Sequence, residues 1–272
     1  MSELELIKAS AKGDLYSVLK LINSNIKLDI NTATNKFNQT PLFIASRAGY
    51  TEIVKLLIKN GANVNQTTVN GYSPLYIACS FNHLDVVNEL ILAGCDVNSF
   101  INDWSMTAVH KASNENHIRI VDRLIRANAD VNISTSSNCT PLLNAVVLER
   151  EEMVNLLVNN GEANVNMCDF TGYTPLYWAS YKNSVNIIRI LLQAGTENIE
   201  LPLLVAEKYY HVEAVKILKC EMRWRRRKCL ILMRLWDDHL DNKAHRPTRM
   251  GAFLVDKNVE THFLLREIVK YL

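Results

Sequence analysis

The chain has 272 residues, 48% of them apolar and 21% charged, with a formal net charge of +2. That composition excludes global disorder and a chain-wide polyelectrolyte, so any grip on nucleic acid or a membrane surface has to be local. No run of about 18 apolar residues occurs, so no transmembrane helix is predicted.

Met1 is followed by Ser-Glu-Leu-Glu, not by a basic and then an apolar region, and no secretory signal is expected. The cysteines at 79, 95, 139, 168, 220 and 229 form no CxxC and no disulfide framework. Reduced thiols in a cytoplasmic protein follow, with the nucleus as the alternative.

In chain order, the first element is LIKASAKGDLYSVLKLI, starting at Leu6. It reads as two short helices joined at Gly13. A longer unit then recurs: TPLFIASRAGYTEIVKLLIKNGANVN from Thr40, SPLYIACSFNHLDVVNELILAGCDVN from Ser73, TAVHKASNENHIRIVDRLIRANADVN from Thr107, TPLLNAVVLEREEMVNLLVNNGEANVN from Thr140, and TPLYWASYKNSVNIIRILLQAGTEN from Thr174. The spacings are 33, 34, 33 and 34 residues. A period of this size marks a stacked array of one supersecondary unit.

Each part of the unit has a physical reading. Thr-Pro opens a helix: the hydroxyl caps free amides, and proline suits the first turn, where its missing N–H costs nothing. The first helix is about eight residues long and carries a small alanine (Ala45, Ala78, Ala112, Ala145, Ala179) for close packing. Gly49, Asn82, Asn116 and Asn183 suit a left-handed turn. The fourth copy has Glu149 there, which predicts an altered turn. A second helix follows with apolar residues at helical spacing, such as Ile53, Val54 and Leu57. Gly61, Gly94, Asn128, Gly161 and Gly195 are expected to end it in the left-handed conformation. The Val-Asn pairs ending at Asn65, Asn98, Asn132 and Asn166 lead into a hairpin loop, where the asparagines are expected to make stabilising hydrogen bonds.

These motifs resemble the ankyrin-repeat family: TPLHxA at this period, with G-A-D-V-N closing each unit. His110 in TAVHKA keeps the family's histidine. The resemblance covers about residues 2–220 and implies an all-α ankyrin-repeat solenoid. Its repeats are 36–68, 69–101, 102–135, 136–169 and 170–200, with degenerate ones at 2–35 and 201–220. It also implies a concave face of first helices and loop tips that binds a protein partner. Transferring those positions gives Phe37, Arg47, Tyr72, Phe81, Trp104, Met106, Glu115, Phe170, Tyr173 and Tyr181 as partner-binding candidates. Tyr72 and Tyr173 also have a structural reading, as rings packing the loop.

No chemistry-bearing motif competes with that reading. The glycines never fall as GxGxxG or GxxxxGK[ST], and neither GxSxG nor HExxH occurs. No catalytic residue, metal site, cofactor or small-molecule substrate is assigned, and a monomer is expected. His83 and His117 occupy equivalent repeat positions, which marks repetition. Cys79 and Cys95 read as small core fillers. Glu149, Glu151 and Glu152 stand where a second helix begins, which suits the helix dipole.

Residues 221–272 leave the repeat and are read as a helical tail that caps the stack. Met222–Leu240 is predicted as one helix, with Arg223, Arg225, Arg226, Arg227 and Lys228 at its start and Asp237, Asp238 and Asp241 at its end. That polarity opposes the helix dipole. The basic block also admits nuclear import or nucleic-acid binding, with a salt dependence that would reveal it. DNKAHRPTRMG reads as a linker, and Asn258 as the cap of a last helix carrying Val259, Phe263, Leu264, Ile268 and Leu272 on one side. REIVKYL is similar in shape to the terminal helix of a SOCS box, which would make the chain an adaptor of a ubiquitin ligase. The Leu-Cys-Arg motif of that box is absent.

Overall fold

The computed structural model describes residues 2–24, 29–32, 34–101 and 104–241. The expected linker from residue 242 onward and the last helix, 258–272, lie outside the described residues, as does Asp103. The described residues contain fourteen helices and one two-stranded hairpin. They fall into two compact units, Met1–Asn198 and Ile199–Leu272.

The first unit holds six helix pairs: α1 (Ser2–Lys12) with α2 (Leu15–Ile22), α3 (Pro41–Ala48) with α4 (Thr51–Lys59), α5 (Pro74–Ser80) with α6 (Leu84–Leu92), α7 (Ala108–Asn114) with α8 (Ile118–Ile125), α9 (Pro141–Val147) with α10 (Glu151–Asn159), and α11 (Pro175–Tyr181) with α12 (Val185–Gln193). The odd-numbered helices pack in one row and the even-numbered helices in a second. The core lies between the rows. Each second helix from α4 to α12 contributes a buried trio, among them Ile53, Val54 and Leu57, then Val86, Val87 and Leu90, then Ile120, Val121 and Leu124, whereas α2 buries only Val18. Burying one such side chain is worth about 1.5–3 kcal/mol, and no single pair could shelter its trio alone.

Capping follows the sequence. The hydroxyls of Thr40, Ser73, Thr140 and Thr174 accept the amides of Phe43, Tyr76, Leu143 and Tyr177 at 3.1–3.3 Å. The third copy differs. There the Thr107 amide donates to His110 Nδ1 at 3.2 Å, and the other ring nitrogen, Nε2, donates to the Cys139 carbonyl at 3.2 Å. That partner set fixes the Nε2–H tautomer. Burial also holds the His110 pKa below the ordinary imidazole value, so the ring is neutral near pH 7.

Two turn expectations need correction. Glu149 does not alter its turn: its φ is 56°, matching Asn82, Asn116 and Asn183 at 58–61°. Stacking holds the non-glycine residue in the left-handed region, and Ser184 Oγ donates to its carboxylate at 2.9 Å. Gly161 is not the left-handed residue at the end of α10; Glu162 is, with φ 54°. The reason is one inserted residue. In other repeats the closing bond spans five residues, as from Ala62 N to Leu57 O, whereas here it runs from Ala163 N to Leu157 O. Gly161 sits inside the widened loop, where an added Cβ would come within 2.8 Å of the Leu157 carbonyl oxygen.

The loops carry an asparagine ladder. Oδ1 of Asn65, Asn98, Asn132 and Asn166 accepts the amide of Asp96, Asp130, Asn164 and Glu197, one repeat further on, at 2.7–2.8 Å. Asn31 does the same for Asn63 at 2.7 Å. The first, degenerate repeat therefore has a working loop, signalled by Asp29-Ile30-Asn31, 34 residues before Asn63-Val64-Asn65.

The second unit begins with α13 (Glu200–Lys208) and α14 (Val212–Asp241). Ala206, Ala214 and Leu218 are fully buried between them. The turn residue Tyr210 has φ 58°. The amide of His211 reaches the Ala206 carbonyl at 2.9 Å, as His83 reaches Ala78. This is a repeat pair whose second helix does not stop. The helix expected over 222–240 is the continuation of a 30-residue rod that starts at Val212. Arg223–Lys228 therefore lie in its interior, where the dipole has faded, and the expected conflict with the N-terminal charge does not arise.

Candidate functional site

The candidate face consists of the hairpin tips and the adjoining first helices. Each tip is closed by one left-handed residue: Asn38, Gly71, Ser105, Asn138 or Gly172. The closing bonds run from Thr68 N to Tyr72 O, from Thr135 N to Cys139 O and from Asp169 N to Tyr173 O, each 3.0 Å. The third hairpin is one residue longer: β1 (Phe100–Ile101) pairs antiparallel with β2 (Met106–Thr107), Ile101 opposite Met106. That insertion carries Trp104. Neighbouring tips are tied by bonds from Val69 N to Phe37 O at 3.1 Å and from Ser136 N to Trp104 O at 3.2 Å. The exposed side chains thus stand on a hydrogen-bonded frame.

The structure sorts the ten candidates into two groups. Phe37, Phe81, Trp104 and Phe170 are 48–75% exposed, and Arg47 and Glu115 are exposed as well. Lys36 Nζ lies 4.9 Å from the Phe37 ring centroid. Glu115 pairs with Lys111 at 2.6 Å, and that hydrogen bond holds its carboxyl below the usual carboxylate range. Tyr72, Met106 and Tyr173 are half-buried in packing, and Tyr181 packs on Trp178 while staying 38% exposed. Tyr72 stacks on Tyr76 at 5.4 Å and rests against Ile7, Phe43 and Ile44. The Tyr76 hydroxyl donates to Met106 Sδ at 3.7 Å. Burial pushes that hydroxyl's pKa up to about 12.

In the fifth repeat, sequence reasoning missed two members of an aromatic group. Tyr173 stacks on Tyr177 at 3.8 Å, and Trp178 meets Tyr173, Tyr177 and Tyr181 edge-on at 5.7–6.0 Å. Asp169 anchors the group. One carboxylate oxygen accepts the amides of Thr171 at 2.8 Å and Tyr173 at 3.0 Å as well as the Thr171 hydroxyl. The other accepts Trp178 Nε1–H at 2.9 Å. Burial opposes the charge on Asp169, but these donors outweigh it and hold its pKa below the usual range. The signal for this group was the spacing of Tyr177, Trp178 and Tyr181, three and four residues apart on α11, with Tyr173 just before its cap.

The remaining polar candidates take structural roles. His83 Nε2 donates to the Arg47 carbonyl at 3.0 Å, and His117 Nδ1 donates to the Cys79 carbonyl at 2.9 Å. Each histidine thus stitches its repeat to the preceding one. Burial raises the pKa of the Cys79 thiol far above its usual value, and those of Cys95 and Cys139 to about 11. That keeps all three protonated and poorly nucleophilic. Among the described residues, no group of three His, Cys, Asp or Glu side chains could hold a metal ion, and no helix is long and apolar enough to cross a membrane. In the basic stretch, Arg223, Arg226, Arg227 and Lys228 are exposed. Arg225 is half-buried and pairs with Glu221 at 2.8 Å. Trp224 is 55% exposed, with Lys228 Nζ 5.3 Å from its ring centroid.

Comparison with known proteins agrees with this architecture. A family model described as ankyrin repeats (3 copies) matches residues 6–101 and 105–201, and one described as ankyrin repeats (many copies) matches 78–125. No curated protein gives a significant match. Among solved structures, the chain is similar to the ankyrin repeat domain of Bcl-3, described as a unique member of the IkappaB protein family. Identity there is 26% and the TM-score 0.72, with 79% of this chain and 97% of that one covered. It is also similar to an ankyrin repeat domain from Acinetobacter baumannii, with 28% identity, a TM-score of 0.65, and 70% of this chain and 97% of that one covered.

Proposed function

The chain belongs to the ankyrin-repeat family, and from that premise we propose that it is a non-catalytic recognition module holding a protein partner on its hairpin tips and first helices. The observation that carries this reading is the exposure of large apolar side chains on four of the five tips: Phe37 at 48%, Val69 at 60%, Trp104 at 69% and Phe170 at 75%. Folded proteins seldom place such side chains on loop tips unless something covers them, and aromatic anchors dominate binding energy at interfaces. A framework of backbone bonds between tips lowers the ordering cost of binding. The site is assigned to the cytoplasm or nucleus, where its thiols stay reduced.

The test uses the full chain. Trp104→Ala and Phe170→Ala are each expected to weaken partner capture at least about tenfold, as hot-spot truncations do, while thermal unfolding stays close to wild type. Undiminished capture by the double variant would overturn the reading. Exposure of Arg223, Arg226, Arg227 and Lys228 favours a second reading, an anionic partner held by α14. Binding of that kind collapses between low and physiological salt, whereas the aromatic interface does not.

A further inference from the structure

Helix α14 has two different sides. Ala214 and Leu218 are fully buried. Glu221, Met222 and Arg225 follow at spacings of three and four residues, continue that side and are half-buried. On the other side Trp224, Leu230 and Ile231 are 55–58% exposed, and Arg223, Arg226, Arg227 and Lys228 are exposed among them. Apolar and basic side chains share this side instead of dividing it. Trp224, Arg227, Lys228 and Ile231 stand at i, i+3, i+4 and i+7.

The charge on this side is unbalanced. Nearer the start of α14, Lys216 pairs with Glu213 at 3.6 Å and Lys219 with Glu207 at 2.7 Å. Arg225, on the half-buried side, pairs with Glu221. Among the described residues, no carboxylate pairs with Arg223, Arg226, Arg227 or Lys228. The acidic Asp237, Asp238 and Asp241 come later in the helix. The first of them lies about 14 Å beyond Lys228 at ~1.5 Å per residue, further than the ~8 Å over which physiological salt lets charges act.

This pattern selects among anionic partners. A nucleic-acid strand could meet the cations and stack on Trp224, but it sets nothing apolar against Leu230 and Ile231. An apolar groove in a protein would have to bury Arg227 and Lys228 along with Trp224 and Ile231, and burying cations is costly. At an anionic membrane surface both kinds of side chain fit at one depth. Long basic side chains reach the lipid phosphates while their stems and the apolar groups sit at the acyl boundary, where tryptophan is also favoured. We propose that α14 lies on an anionic lipid surface, with Arg223, Arg226, Arg227 and Lys228 on the headgroup phosphates and Trp224, Leu230 and Ile231 at the acyl boundary. This rests on the second reading above, an anionic partner on α14, and names that partner. No described helix is long and apolar enough to cross a membrane, so the contact is with the surface.

The test is co-sedimentation of the full chain with vesicles of phosphatidylcholine alone or with about 30% phosphatidylserine, beside retention on polyuridylate as a lipid-free polyanion. Wild type is expected to pellet with the anionic vesicles only, and Trp224→Phe to lose the accompanying blue shift in tryptophan emission. Each basic residue near an anionic leaflet strengthens binding roughly fivefold, so Arg226→Glu/Arg227→Glu should weaken it at least about a hundredfold. Arg226→Lys/Arg227→Lys should keep it. Leu230→Asn/Ile231→Asn should weaken vesicle binding about tenfold without changing retention on polyuridylate. Vesicle binding that either the glutamate or the asparagine pair leaves unchanged would overturn the proposal. Retention on polyuridylate without vesicle binding would also overturn it but leave the anionic-partner reading standing. Binding to neither would end both.

Discussion

Oδ1 of Asn98 accepts the backbone amide of Asp130 at 2.8 Å, while the amide of Asn98 is itself held by Asp96 Oδ1 at 2.9 Å. Every loop of the first unit repeats this two-step link. It joins a local turn to the next repeat, so each repeat's loop is set by the one before it. Asn98→Ala is expected to cost about 1 kcal/mol, the net worth of one hydrogen bond at an exposed site. Urea unfolding checks this, and a second ladder substitution such as Asn132→Ala should add to it.

Glu149 occupies a left-handed turn that asparagine fills elsewhere. An L residue with a long side chain gains nothing locally from that conformation and is strained by roughly 1 kcal/mol. Asparagine tolerates it better. Glu149→Asn should therefore raise the urea midpoint, even though the bond from Ser184 is lost. A lower midpoint would show that this bond outweighs the backbone strain.

Ser46 and Ser113 are fully buried, and their hydroxyls have no hydrogen-bond partner among the described residues. Cys79 and Val146 hold the same column position with apolar atoms. An unpaired buried hydroxyl costs about 1–3 kcal/mol. Ser46→Ala and Ser113→Ala should thus each stabilise the protein, by about 1 kcal/mol once the small lost volume is counted. Thermal melts of both variants give the answer.

His110 is neutral and buried, with its pKa below that of the unfolded chain. Between those two values the unfolded state binds more protons, so stability falls as pH drops below about 6.5 and is fully present above it. His110→Leu, the residue type found at Leu143, should flatten the stability profile in that window. An unchanged profile would assign the pH dependence to another group.

Much of the array was legible in the sequence because its determinants are local. Thr-Pro caps, alanines in the first helices and apolar trios in the second act within one unit, and five copies repeat the message. The misreadings arose where local rules were overruled. Glu149 is a poor turn former, yet its neighbours hold the turn in place. Gly161 fits the rule that glycine stops a helix, but one inserted residue moves that role to Glu162. The candidate face was only half legible. Trp104 and Phe170 stand out in the loops, whereas the Asp169-anchored group with Tyr177 and Trp178 depends on which side of α11 is left uncovered.

By itself the sequence determined the repeat, its period, its helix pairs and its lack of known catalytic motifs. These follow from propensity, capping and periodicity, which a linear text carries. Only the tertiary structure decided which tyrosines pack and which aromatics stay open, because burial depends on what the neighbouring repeat places against each column. It also decided that the helix expected over 222–240 starts at Val212 and runs on through the arginines. Propensity within 212–241 favours helix throughout, and no residue there marks an end.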